Sequence, residues 1–245
     1  MSFSIIIPIK NQYKIVKMCL DSIVKYYLNQ DVVLIDDYST EQSTIDLLKD
    51  YSKQYNWKLF RNEQSVGHSG ACTKGIEESS CENVVLLNSD TIVTSKCLQI
   101  LSDVLDNNKD IAVCGPSTSS ASGEQLIKEL YNKRFTMTLD DIEAVAKNLE
   151  NDKRIVDISL VNGCCAMLKK SVFNSIDGFD KNLNCYGNEK EIFLRIRAAG
   201  YRTVWVTNCY THHFGKMSYS QSGINISRAQ TDADRYIFKK HGRLE

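Results

Sequence analysis

The chain has 245 residues, 42% hydrophobic and 24% charged, enough to bury a sizeable core in one large α/β domain without a metal or disulfide staple. Thirty basic residues cancel thirty acidic ones, which excludes a broad electrostatic footprint for nucleic acid. The first residues lack a basic region and a long apolar run, so no signal peptide or transmembrane segment is expected. The protein is read as soluble and cytoplasmic, with peripheral membrane contact left open.

In chain order, residues 3–7 form a short β-branched run, read as a strand stopped by Pro8. Ile15, Val16, Cys19, Leu20, Ile23 and Tyr27 recur at helical spacing, and residues 31–35 read as a second buried strand ending on Asp36 and Asp37. Ile45, Leu48 and Tyr51 mark a helix, residues 57–60 a third strand, and residues 70–79 another helix. Residues 84–87 read as a strand, Leu98, Leu101, Val104 and Leu105 as a helix, and residues 111–114 as a strand. Continuous apolar strands alternating with amphipathic helices predict a mostly parallel central sheet with helices on both faces.

Beyond residue 115 the pattern changes. Residues 117–123 read as a polar loop, and Ile142, Val145, Ala146 and Leu149 as a helix. Residues 156–161 and 166–168 read as strands, and residues 189–199 as a helix closed by Gly200. Residues 203–206 read as a last strand, and residues 209–222 as a polar, aromatic tail segment. The nine cysteines include no Cys-x-x-Cys pair and sit mostly in apolar runs, so they read as buried, reduced thiols.

In an open parallel sheet, ligands bind beyond the carboxyl ends of the strands. Those ends carry Pro8, Ile9, Lys10 and Asn11, then Asp36, Asp37, Tyr38 and Ser39, then Asn88, Ser89 and Asp90. Carboxylates at neighbouring strand ends suit a hard divalent cation. No Gly-x-Gly-x-x-Gly or Walker A loop follows the first strand, so a phosphate-bearing ligand needs a metal as its counter-charge.

These motifs carry a resemblance. Residues 4–11 look like the opening strand of the family 2 inverting glycosyltransferases with the GT-A (Rossmann-like) fold, a group that includes rhamnosyl- and hexosyltransferases. Residues 33–40 resemble that family's second strand and Asp-Asp-x-Ser turn, and residues 62–75 its Asn-x-x-x-x-Gly-x-x-x-Ala-x-x-x-Gly segment. Residues 86–91 stand where the metal-binding Asp-x-Asp belongs, with Asn88 in place of the first Asp. Residues 161–169 and 178–180 are similar to the acceptor-side strand and Gly-Phe-Asp turn. Residues 188–195 are similar to the Glu-Asp-x-Asp-Leu-x-x-Arg helix start, and residues 212–215 to the terminal histidine segment.

The resemblance implies a single domain over residues 1–245: a nucleotide-donor half to about residue 115, an acceptor half to about residue 215, and a tail or lid beyond. It implies transfer of a sugar with inversion from a UDP- or dTDP-sugar to a hydroxyl of a glycan, glycolipid or glycoprotein, with Mn²⁺ or Mg²⁺. Asp37, with Asp36, would bind the base, amid Pro8, Ile9, Asn11, Asn62, Gly67, Lys74, Asn88 and Ser89 around the nucleotide; the other reading of Asp37 is a helix N-cap or turn acid. Asp90 would hold the metal, with His213 (alternate His212) as a further ligand or a diphosphate contact. Glu189 stands at the general base. Glu191 is its alternate, although at i, i+4 from Arg195 it also fits a helix salt bridge. Tyr186 and Gly187 fall on the acceptor side. Trp205, Tyr210 and Tyr219 are either sugar platforms or core residues. Two other readings remain: a nucleotide-sugar-binding module without turnover, and a nucleotidyltransferase, which would need a Gly-rich basic loop where Pro8 to Asn11 stand.

Overall fold

In the computed structural model the chain is described over residues 2–183, 186–215 and 226–242. The elements run β1 (Phe3–Ile9), α1 (Tyr13–Tyr27), β2 (Asp31–Asp36), α2 (Gln42–Tyr55), β3 (Lys58–Arg61), α3 (Gly67–Glu78), β4 (Asn83–Leu87), β5 (Thr91–Val93), α4 (Cys97–Asn107) and β6 (Ile111–Thr118). They continue with α5 (Lys128–Tyr131), α6 (Leu139–Leu149), β7 (Ile155–Asp157), β8 (Cys165–Lys169), α7 (Lys170–Ser175), α8 (Asn188–Ala198), β9 (Arg202–His213) and α9 (Ile226–His241).

The strands form one sheet in the order β3-β2-β1-β4-β8-β6-β9-β5, with β7 paired on β9. β8 runs antiparallel between β4 and β6, while β1, β2, β3, β4, β6 and β9 all point the same way. Their carboxyl ends therefore fall along one edge. Strict alternation along the strands sorts the core into two faces. Phe3, Ile5, Ile7 and Ile9 of β1 meet α1, α2 and α4 on one face. Ile6 of β1, with Val33 and Ile35 of β2, meets α3, α7 and α8 on the other. Each fully buried aliphatic side chain contributes roughly 1.5–3 kcal/mol. A smaller cluster seats α6 on Ile92, Tyr210 and Phe214, and another seats α9 on Leu183 and Leu194. Among the described residues, seven of the eight cysteines are buried and all are free thiols, as the composition suggests; Cys185 lies outside them. No helix of the described residues is long and apolar enough to cross a membrane.

The structure departs from the sequence reading at several places. Pro8 does not stop β1. The Ile9 carbonyl accepts from the Asp37 N–H on the β2 side at 2.7 Å, so alternation turns the missing donor of Pro8 toward β4, whose pairing with β1 ends at Ile6 and Leu86. Ser117, Thr118 and Ser119 are buried rather than looped, because the Ser117 hydroxyl accepts from Trp205 Nε1 at 3.0 Å and the Ser119 hydroxyl donates to the His213 carbonyl at 3.0 Å. The strand expected at residues 156–161 shrinks to β7. β9 runs far beyond residue 206: its register with β6 shifts at Pro116/Ser117, and its neighbour on the far side changes from β7 to β5. Part of the expected tail is thereby a strand, and α9, unanticipated, packs on α8.

Candidate active site

The loops leaving β1, β2 and β3 are cross-tied. Asn11 sits at φ 57, a left-handed conformation that asparagine tolerates better than most residues. From there its side-chain oxygen accepts from the Thr40 and Glu41 N–H groups at 2.8 and 2.9 Å, and its own N–H donates to Ser39 Oγ at 2.9 Å. Asp36 is buried, accepting from the Ser39 N–H at 2.8 Å and paired with Arg61. Asp37 accepts four hydrogen bonds: from Asn62 Nδ2 at 2.9 Å, Ser65 Oγ at 2.7 Å, the Val66 N–H at 2.8 Å and the Gly67 N–H at 3.1 Å. It thus caps α3, whose own N-cap residue, Val66, has no side chain able to do so. Both oxygens of Asp37 are filled by protein donors, so its place here is that of a latch on residues 62–67 rather than of an open acceptor for a base. Lys74 Nζ reaches Asn62 Oδ1 at 3.2 Å and lies 5.5 Å from the centre of the Phe60 ring. Ile9 is core, presenting only its backbone to this edge.

Asp90 follows β4 and is 5% exposed, beside the buried Ser89. The Asn88 N–H donates to the Cys164 carbonyl at 3.0 Å, which ties the β4 exit to the β8 entry. His213, at the end of β9, brings Nε2 to 3.2 Å from Asp90 Oδ1, while its Nδ1 donates to the Ser120 carbonyl at 2.7 Å. That second bond sets the tautomer and turns the Nε2 lone pair on the carboxylate, so a cation has to sit between them, either a proton or a metal. Burial alone would lower the His213 pKa, but the acceptors around it, Cys164 and Asp90, raise it well above the ordinary range. His212 points to the opposite face of β9. Its Nε2 meets the Arg134 carbonyl at 2.7 Å and its Nδ1 the Tyr210 hydroxyl at 3.0 Å, which removes it as a ligand to any ion at Asp90. Among the described residues no group of three or more His, Cys, Asp or Glu side chains converges as a metal centre.

Glu189 opens α8, behind Gly187 at φ 76. Its carboxyl lies over the backbone of Gly163, so tightly that a Cβ there would stand 2.5 Å from Glu189 Cδ and 3.1 Å from Cγ. Burial in this crevice pushes its pKa up to about 7, against a smaller lowering by its own N–H and by His213. Such a carboxyl changes charge near neutrality, as a proton acceptor in catalysis must.

Glu191 has another use. It is fully buried and paired with Arg195 at 2.6 Å, Lys240 at 2.7 Å and His241 at 3.0 Å. Arg195 also donates to the Gly178 carbonyl at 2.6 Å, and Lys240 pairs with Asp180 at 2.6 Å. The salt bridge expected with Arg195 is thus one arm of a network that clamps α9 and the turn at residues 178–180 onto α8, and it takes Glu191 out of contention as a base. Gly187 faces Ala233 and Ile237 of α9, and Tyr186 packs in the same cluster. Tyr210 is core and Trp205 is held by Ser117; Tyr219 lies outside the described residues.

Sequence reasoning missed Gly163 and the Ser120 carbonyl.

A mostly parallel sheet interrupted by the reversed β8, with an acid–imidazole pair and a half-buried carboxyl on its carboxyl edge, fits the GT-A class of α/β folds. Solved structures of that class superpose on it: GalNAc-T7 with UDP, GalNAc and Mn²⁺ (TM-score 0.71, 17% identity, 95% of this chain and 47% of that one) and the mannosyltransferase PcManGT from Pyrobaculum calidifontis with GDP-Man and Mn²⁺ (TM-score 0.71, 15% identity, 100% and 66%). The profile of Glycosyl transferase family 2 matches residues 4–177, and the chain belongs to that family. Curated relatives include the glycosyltransferase GlyA of Streptococcus pneumoniae serotype 4, 22% identical over 82% of this chain and 32% of that protein. An N-acetylglucosaminyltransferase of Rhizobium meliloti is 24% identical over 82% of this chain and 48% of that protein. The chain spans about a third to a half of the length of these relatives.

Proposed function

We propose that the chain transfers a sugar, with inversion, from a UDP- or dTDP-sugar to a hydroxyl of a glycan, glycolipid or glycoprotein. The observation that carries this reading is Glu189: a carboxyl raised to about 7, seated on Gly163 at the same sheet edge as Asp90 and His213. Glu189 accepts the acceptor hydroxyl's proton as that oxygen attacks the anomeric carbon from the side opposite the leaving nucleotide. Residues 1–115 supply the donor half, where the exits of β1, β2 and β3 shape the nucleoside pocket. Residues 116–215 supply the acceptor half, and α9 braces α8 from outside.

The residues present fit a divalent cation. A carboxylate and an imidazole nitrogen, the latter oriented by a carbonyl behind it, make two ligands of the right chemistry, and a diphosphate and water complete such a shell. Asp90 and His213 would hold Mn²⁺ or Mg²⁺, which would neutralise charge on the departing nucleoside diphosphate. GalNAc-T7 and PcManGT carry Mn²⁺ in their solved forms, and TarS of Staphylococcus aureus binds UDP-GlcNAc, which supports donor and metal of this kind.

The test is thermal denaturation with a panel of nucleoside diphosphates and nucleotide sugars, with and without Mn²⁺. At a hundredfold excess over Kd, binding stabilises by about 2.7 kcal/mol. Mn²⁺-dependent stabilisation that disappears in Asp90→Asn is expected; a folded protein that answers to none of them contradicts the proposal.

A further inference from the structure

Among the described residues nine large hydrophobic side chains stand exposed, and three of them, Tyr131, Phe135 and Leu139, fall within residues 131–139 at 41, 55 and 45% exposure. Single residues of this kind are ordinary on a protein surface, whereas a cluster marks an interaction site. The packing behind the cluster holds it outward. Ile127, Leu130 and Met137 join the core around Ile142, Tyr210 and Phe214. Arg134 Nε donates to the Phe214 carbonyl at 2.8 Å, the Arg134 carbonyl meets His212 Nε2 at 2.7 Å, and the Phe135 ring stacks on Phe214 with centroids 6.1 Å apart. Phe214 follows His213, and its N–H donates to the Asp90 carbonyl at 3.1 Å, so the cluster lies beside the candidate site.

Cations flank these side chains. Lys128 and Lys133 are exposed, and the Arg134 guanidinium lies 4.1 Å from the centre of the Tyr131 ring and 4.5 Å from that of Phe135. None of the three forms a salt bridge among the described residues. The acids that follow are turned elsewhere: Asp140 lines the cleft between α6 and α4, and Asp141 accepts from the Thr138 N–H at 2.8 Å to cap α6. Within residues 128–139 the three basic groups stand against Glu129 alone. Exposed rings beside unpaired lysines match the surface of an anionic bilayer, where rings enter the headgroup layer and cations meet the phosphates. A protein partner fits less well, because lysine is depleted in protein interfaces. We propose that residues 128–139 dock this face onto an anionic phospholipid surface, with Tyr131, Phe135 and Leu139 inserted and Lys128 and Lys133 at the headgroups. For the transfer proposed above, docking in this pose would bring the His213 end of the cleft to the bilayer, where a lipid-anchored acceptor is presented. The docking itself needs no nucleotide and stands apart from that reading.

The experiment is co-sedimentation of the full chain with vesicles of phosphatidylcholine alone, and with vesicles of phosphatidylcholine and phosphatidylglycerol in equal parts, in EDTA and without nucleotide. Wild type, the double variant Lys128→Gln/Lys133→Gln, Tyr131→Ser and Phe135→Ser are compared, with melting temperatures checking the fold. Wild type is expected to bind the anionic vesicles and to ignore the neutral ones. Each basic residue contributes about fivefold in affinity at such a surface, so the double variant should bind about 25-fold more weakly, and added salt should weaken wild type as well. Tyr131→Ser and Phe135→Ser should each lose about tenfold. Should Phe135→Ser lose its fold along with the Phe214 stack, Tyr131→Ser carries the test. Equal binding to both kinds of vesicle, binding that the variants leave unchanged, or no binding to either would overturn the proposal. Failure of the nucleotide thermal panel would instead overturn the transferase reading and leave the vesicle result standing.

Discussion

Gly163→Ala separates the position of the proposed base from its chemistry. The added methyl carbon would stand 2.5 Å from Glu189 Cδ, whereas ordinary carbon–carbon contact begins near 3.5–4.0 Å, so the carboxyl must retreat by about 1 Å. Displacement of that size costs roughly 100-fold in rate, or about 2.7 kcal/mol of barrier. The backbone should absorb the change: Gly163 is not among the glycines with positive φ, and the colliding group is the far end of a flexible side chain. The melting temperature and the donor Kd should therefore stay near wild type while kcat falls about 100-fold, toward the value for Glu189→Gln. The assay is steady-state release of nucleoside diphosphate with acceptor present, alongside donor calorimetry. A Gly163→Ala enzyme with undiminished kcat would refute the placement of the base. One that loses donor binding and kcat together would show that Gly163 serves the fold.

Because burial raises Glu189 to about 7, kcat/KM should rise with pH through that value and level off above it, a profile absent from any residual activity of Glu189→Gln. The folded state then holds more protons than the unfolded one between about 4.5 and 7, so stability should fall across that window and be flat above it. Urea titrations at pH 5 and 8 check the difference, which Glu189→Gln should remove. Glu191→Ala strips a fully buried carboxylate from Arg195, Lys240 and His241, at a cost of about 3–5 kcal/mol, and should lower the melting temperature by roughly 10 °C. Asp37→Asn turns an amide N–H toward two of its four donors, which should cost about 2–3 kcal/mol and weaken nucleotide binding, read by calorimetry.

Residues 1–115 were legible because their signals are local. Strands such as residues 84–87 are buried on both faces and read as unbroken apolar runs, and each ends on polar residues that lie at the sheet edge. The single domain with a mostly parallel sheet followed from that alternation. Residues 116–215 resisted because their order is set by distant partners. Ser117, Thr118 and Ser119 look like a loop until Trp205 and His213 are brought beside them. His213 reads as a loop histidine because the pairing of β9 with β5 carries no local pattern. Asp37 was legible as a special residue, but its engagement by residues 62–67 depends on a loop folding back over β2. Gly163 gave no signal, since its meaning lies in what stands opposite it.

The central claim, sugar transfer with Glu189 as the base, is tested most directly by mixing wild type and Glu189→Gln with the preferred nucleotide sugar, Mn²⁺ and a panel of hydroxyl acceptors. Nucleoside diphosphate release and the anomeric configuration of the product are then followed by NMR. The account predicts release and an inverted product from wild type, and from Glu189→Gln an unchanged donor Kd with no release. Release by Glu189→Gln at the wild-type rate, or a product of retained configuration, would contradict it.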